Sequence, residues 1–499
     1  TSTSGNVTVT IADDNDFKTI SSTTSTGNNV INVSAEASAI TVNSGIGHDT
    51  ITTGAGAATV DAGNGNNTIT LGAATNSVTT GTGNDTVTLV AGTDTLHLGA
   101  GENIVNVAYA NFTSADTMDG SGTNTLKFTD AIVDGTATVE SKMAATGNKI
   151  DVIKLGVDDT QIVTLGANAL ASGVTKIDAS AITTATKTLT VDLTAMDPTS
   201  GTFTVIGGAG TDTVKIDSAS LTSTTSLQMG ASNTGEYDTL QIADKATIVD
   251  ADFTLSSGLE KLTFAIDDNH SITLGDKAIA AGVRVIDTSK TVEATPADQE
   301  KASTIDLSSA TVDANFTILT GKGADVIKLK ASQLTSGDTI TAGLGMDTIE
   351  LSGASILTDS SFTNVTGVEY LKLGAGNNQS IVYGTEAKEA GILSINGTNA
   401  GTDNTVSIDL SSAGTMPLTV TMADSVDTII MGAGVMNVTL GAGDDTVKTI
   451  SSYLTSGDIL AGDAGTTDTL EFTDTSAATI SDGAFTQVSG FEKLKLANV

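Results

Sequence analysis

The chain has 499 residues, with 58 acidic against 22 basic side chains, a formal charge of −36, and neither Cys nor Trp. That balance excludes nucleic acid as a default partner, because binding it begins with neutralising phosphates, and it argues against an anionic membrane surface. The absence of Cys removes disulfides, thiolate metal sites and cysteine nucleophiles together. The 39% of hydrophobic residues, set in an alternating pattern, is enough to bury a core. No run of about 18 apolar residues is present, so no membrane insertion is expected. The start at Thr1, without Met or a signal-peptide pattern, reads as a fragment or a processed product.

Near the start, the run Ala12-Asp13-Asp14-Asn15-Asp16 is expected to be a solvated turn, since no Gly register surrounds it. From residue 27 to 107 a period of nine takes over. Val33, Val42, Ile51, Val60, Ile69, Val78, Val87, Leu96 and Val105 keep strict spacing, and Leu71, Leu89, Leu98 and Val107 follow two positions later. Apolar-x-apolar is the pattern of a short strand with one face inward. The turns starting at Gly45, Gly63, Gly81 and Gly99 read GIGHDTI, GNGNNTI, GTGNDTV and GAGENIV. A strand plus a Gly-rich turn is half of a flattened coil, so eighteen residues make a full coil and these four turns stack along one edge. The alternate turns, starting at 54, 72 and 90, have lost either Gly or the acidic position. The expectation is one cation-binding edge and one edge of plain turns.

A longer repeat covers the rest. LTSGDTITAGLGMDTIELS at 334–352 returns as LTSGDILAGDAGTTDTLEFT at 454–473, with weaker copies from Leu221 and Phe112. The last three copies reach the strands GLEKLTF, GVEYLKL and GFEKLKL at 258–264, 367–373 and 490–496, expected as core or edge strands rather than ligand sites. Ala-rich stretches before Gly173, Gly282 and Gly391 predict one or two helical turns ended by a glycine cap. In the last module Asp427 and Asp445 lie eighteen apart, again on one edge. The spacing predicts modules at 1–111, 112–220, 221–333 and 334–453, with a partial one at 454–499, joined as a continuous array. His48 and His97 are expected as exposed turn or strand residues and His270 as an exposed loop residue.

GGAGTDTV at 207–214 and GAGDDTV at 441–447 resemble the RTX nonapeptide, G-G-x-G-x-D-x-U-x. The resemblance implies a parallel β-roll that binds Ca²⁺, hence an all-β chain of β-roll or β-solenoid modules with a few helical turns. Carried over by position, the side-chain ligands are Asp49, Asp85, Asp212, Asp325, Asp347 and Asp445. Asn67 and Asn103 stand in the same place as weaker neutral ligands, and Asp427 joins Asp445. The turn carbonyls belong to Gly45 and Gly47, Gly63 and Gly65, Gly81 and Gly83, Gly99 and Gly101, Gly208 and Gly210, Gly321 and Gly323, Gly343 and Gly345, and Gly441 and Gly443. Calcium takes six to eight oxygens, which carboxylates and turn carbonyls can supply together.

No H-E-x-x-H, G-x-S-x-G or P-loop is present, so no enzyme is expected. The acidic, Cys-free, Thr/Ser/Ala/Gly/Asp-rich composition and the GxEKLxL-like segments are similar to RTX-type bacterial surface-layer proteins. That resemblance implies type I secretion, a cell-surface location and calcium-dependent assembly of copies of the chain into a two-dimensional lattice, anchored to cell-surface polysaccharide through another part. The alternative is the repeat stalk of a secreted RTX adhesin, or the calcium-folding segment of a larger secreted enzyme.

Overall fold

The computed structural model describes residues 5–12, 17–132, 138–143, 147–196, 202–290, 301–354, 356–376, 378–400 and 405–497; residues 13–16 of the acidic run lie outside them. The chain divides into two compact units, Thr1–Ala243 with Asp252–Glu260, and Asp244–Ala251 with Lys261–Val499. Each is a parallel β-solenoid. Among the described residues no helix is long and apolar enough to cross a membrane.

In the first unit, Thr50–Thr53 pairs with Thr68–Thr70, and that strand with Thr86–Thr88, eighteen residues further at each step. On the opposite face Ala58–Gly63 pairs with Asn76–Thr80 and that with Asp94–His97. Strands adjacent in sequence here lie in different sheets and every second strand stacks in the same one, within sheets of eleven and six strands; the exception is Thr123–Phe128, which pairs directly with the next strand, Val152–Leu155. A parallel pair needs a crossover, and here the opposite strand of the coil provides it. The local reason is visible in Thr68-Ile69-Thr70 and Thr86-Val87-Thr88: β-branched residues suit strands, and the middle one points inward. All nine residues of the nine-period series are at most 2% exposed. From Gln161–Thr164 the second face is rebuilt by Leu189–Asp192, Thr213–Ile216 and Thr239–Ile242.

The second unit uses larger coils. Thr304, Val326, Thr348 and Tyr370 succeed each other at 22 residues, and the spacing returns to eighteen where Thr428 pairs with Thr446.

The three expected helices are present as Ala167–Ser172, Asp276–Ala281 and Thr385–Glu389. Gly173 and Gly282 end two of them at φ 90° and 115°, in the left-handed region that favours glycine. Their first N–H groups donate to a carboxylate from the preceding coil. Glu140 accepts from Gly166, Asn168 and Ala169. Asp250 accepts from Gly275 and Ala278, and Asp359 from Gly384 and Ala387.

The expectation for one histidine fails. His270 is 2% exposed rather than in an open loop, with its ring 4.2 Å from that of Phe264. Its Nδ1 accepts the Ala246 N–H at 3.3 Å, and burial lowers its pKa. The apolar partner lies six residues earlier, on a strand that folds the ring inward. His48 and His97 are exposed, as expected, and His97 pairs with Asp119 at 3.0 Å.

Candidate metal centre

The Asp or Asn that closes each turn points into the solenoid. Asp49, Asn67, Asp85 and Asn103 are at most 1% exposed, as are Asp212, Asp325, Asp347, Asp427 and Asp445. One oxygen of each accepts the main-chain N–H of the corresponding residue one coil earlier. Along the first edge, Asn29 N–H donates to Asp49 Oδ1 at 2.6 Å, Asp49 to Asn67 at 3.0 Å, Asn67 to Asp85 at 2.8 Å and Asp85 to Asn103 at 3.0 Å. These ladders satisfy donors that no strand pairing reaches.

Three further ladders consist of carboxylates alone. In the first unit Leu189 N–H donates to Asp212, Asp212 to Asp238 and Asp238 to Glu260, each at 2.7 Å. In the second, Asp325 donates to Asp347 at 2.7 Å and Asp347 to Glu369 at 2.8 Å. Asp427 donates to Asp445 at 2.6 Å, Asp445 to Asp468 at 2.8 Å and Asp468 to Glu492 at 2.8 Å. Each ends on the Glu of a GLEKLTF-like strand, a partnership that the reading of those strands as plain structure missed. Asp238 and Asp468 were missed as well, because their turns lack G-x-G. The available signal was the Asp-Thr-Leu that begins each following strand.

The second edge is not plain. Ala58 N–H donates to Asn76 Oδ1 at 3.0 Å, Asn76 to Asp94 at 3.2 Å and Asp94 to Asp116 at 2.8 Å. The expected asymmetry was drawn from turns that had lost either Gly or the acidic position, whereas the ladder needs only an inward Asp or Asn, which Asn76, Asp94 and Asp116 supply.

What separates two kinds of Asp is the fate of the second oxygen. In the Thr-Ser-x-Asp turns it is fully used. Asp116, Asp338 and Asp458 each accept through Oδ2 from the N–H and hydroxyl of the Thr three residues before, at 2.7–3.0 Å. Asp212 uses its Oδ2 on the Gly208 N–H at 2.9 Å. By contrast, the Oδ2 atoms of Asp49, Asp85, Asp238, Asp325, Asp347, Asp427, Asp445 and Asp468 are buried with no donor. A buried carboxylate oxygen without a partner costs more than a neutral one.

The surroundings raise the pKa of most of these acids. Burial, then the charges of Asp212 and Glu260, raises Asp238 to about 7. Burial, then Asp325 and Glu369, does the same for Asp347, and burial, then Asp427 and Asp468, for Asp445. Burial raises Asp94, Asp212, Asp325 and Asp427 to about 6.

The turns themselves pack tightly. The second Gly of all eight G-x-G turns has φ between 108° and 154°. A Cβ on Gly83 would lie 2.2 Å from the Gly65 carbonyl oxygen of the neighbouring coil. Each such glycine is thus packed directly against a carbonyl of the neighbouring turn. The carbonyls of Gly63, Gly81, Gly99, Gly321 and Gly441 each accept a main-chain N–H at 2.6–3.1 Å, whereas those eight aspartate Oδ2 atoms accept none, and such hard oxygens fit Ca²⁺. Among the described residues no three His, Asp or Glu side chains gather as a metal cage, so a cation here would take its ligands chiefly from carbonyls.

The ladder can be probed at its last rung. Glu369→Ala removes the acceptor of the Asp347 N–H and is expected to lower stability in calcium by about 1–3 kcal/mol, read from the denaturant midpoint. Glu369→Gln keeps an acceptor oxygen and should lose less than half as much.

No family model, no curated protein and no solved structure matches the chain.

Proposed function

We propose that the chain is a structural protein of a bacterial surface layer, folded by calcium and assembling with copies of itself into a two-dimensional lattice outside the cell. The observation that carries the calcium part is the set of eight aspartate Oδ2 atoms that, among the described residues, are buried without a donor at turns of a parallel solenoid. Asp49, Asp85, Asp238, Asp325, Asp347, Asp427, Asp445 and Asp468 would hold the ions with carbonyls of their own turns. Bound cations would cancel charge that otherwise repels within a chain of −36. The surface-layer part is supported by the acidic, Cys-free repeat composition and by the lack of exposed Trp, which a carbohydrate- or protein-binding stalk would usually employ.

Sedimentation velocity and electron microscopy of the purified chain, in EGTA and then in millimolar CaCl₂, test this. Ordered sheets or very large species that form only with calcium are the expected result. A folded monomer in calcium would sink the lattice and leave a stalk or a secreted enzyme's carrier segment.

A further inference from the structure

Where Asn67, Asn76 and Asn103 close the turn instead of a carboxylate, the one side-chain oxygen accepts a ladder N–H and none is left without a donor. Asn67 Oδ1 accepts the ladder bond from Asp49, and its Nδ2 donates to the carbonyls of Gly63 at 3.2 Å and Gly65 at 3.1 Å. Asn76, on the opposite edge, repeats the fork, with Nδ2 donating to Gly72 at 3.1 Å and Ala74 at 2.9 Å. Gln379, in the second unit, repeats the fork through Nε2, to Gly374 at 2.8 Å and Gly376 at 3.2 Å, but its Oε1 is buried without a donor, so it is only half of the same arrangement. Asn103 likewise has its amide engaged, by the Leu98 carbonyl at 3.2 Å and Asn124 Oδ1 at 3.1 Å.

One coil away from Asn67 on either side stand Asp49 and Asp85, with the same ladder bond through Oδ1 and a buried, donorless Oδ2. The two side chains differ only in that outer atom. An NH₂ presents positive hydrogens to two carbonyl oxygens; a carboxylate oxygen presents negative charge and requires something positive between.

We propose that the side-chain amides of Asn67 and Asn76 stand in for a bound cation, so that these turns are complete without calcium. This rests on the reading that the aspartate turns take calcium. It departs from the expectation that Asn67 is a weaker calcium ligand, since its one oxygen already accepts the ladder N–H and its amide, not an oxygen, faces the turn carbonyls. It also gives the first edge a spacing rule. With Asp and Asn alternating from Asn29 to Asn103, calcium enters at every second coil. Strand spacing of about 4.8 Å then puts successive ions roughly 10 Å apart, twice the separation that sites on every coil would impose, which weakens their mutual repulsion.

The test compares the full wild-type chain with Asn67→Asp and Asp85→Asn. Bound calcium is counted by equilibrium dialysis at pH 7, and the calcium concentration giving half-maximal β-structure is read by circular dichroism. Asn67→Asp should bind one more ion and need about twofold or more higher calcium to fold. Asp85→Asn should bind one fewer and fold at lower calcium. If wild type binds calcium but Asn67→Asp gains no ion, or Asp85→Asn needs more calcium to fold, the amide proposal is overturned alone. If wild type binds none, the aspartate reading falls and takes the proposal with it.

Discussion

Chelating calcium at pH 7 is expected to cost the protein most of its β-structure, and returning millimolar calcium should restore it. The argument is one of magnitudes. Among the described residues eight buried aspartates have an Oδ2 without a donor, and each ionised group so placed costs on the order of 1–3 kcal/mol or more. At free calcium about tenfold above Kd, each site contributes about 1.4 kcal/mol, so eight independent sites contribute about 11 kcal/mol. That is comparable with the entire net stability of a typical domain, about 5–15 kcal/mol. Extracellular calcium modules bind with Kd of about 10⁻⁴–10⁻³ M, so a chain loose inside a cell would order on reaching the outside. Far-UV circular dichroism in EGTA and in CaCl₂ measures it. Full β-structure in EGTA at pH 7 would refute the calcium account.

Acidification should rescue the calcium-free protein. In the unfolded chain the carboxyls of Asp238, Asp347 and Asp445 ionise near the ordinary value of 3.8, but in the fold they keep their protons up to about 7, and those of Asp94, Asp212, Asp325 and Asp427 up to about 6. Between about pH 4 and 7 the folded state therefore binds more protons than the unfolded one, and stability falls as pH rises through that window. A carboxyl that holds its proton only about tenfold more tightly in the fold than in the unfolded chain already forfeits about 1.4 kcal/mol by neutral pH. In EGTA the thermal midpoint is expected to be highest near pH 4 and to drop steadily to pH 7. In millimolar calcium the slope should reverse above about pH 5, because the cation replaces the proton at the same oxygens. A midpoint in EGTA that rises from pH 4 to 7 would show that these carboxylates are stabilised in the fold by something other than a proton or a cation.

The coil was legible in the sequence because its causes are local. Side-chain alternation is a property of the extended backbone, so the nine-residue series from Val33 to Val105 marks the inward face without reference to any distant residue. The G-x-G turns and the glycines ending the short helices report backbone angles, which the residue type itself restricts. The inward Asp and Asn were legible where glycines framed them, and were lost at Asp238 and Asp468, where the same role is filled without that frame.

By itself, then, the sequence determined the period, the strands, the inward apolar face and most of the turn acids, all set by residues within about nine positions of each other. The tertiary structure alone decided which oxygen each acid commits to the ladder, that Asn67 turns its amide rather than its oxygen toward the turn carbonyls, and that Glu260, Glu369 and Glu492 end three carboxylate stacks. It also decided that His270 is buried against Phe264. Most of these bonds join residues about 18–26 apart that meet only when one coil lies on the next. Their chemistry depends on which atoms stacking brings within 3 Å, and nothing in a local pattern specifies that.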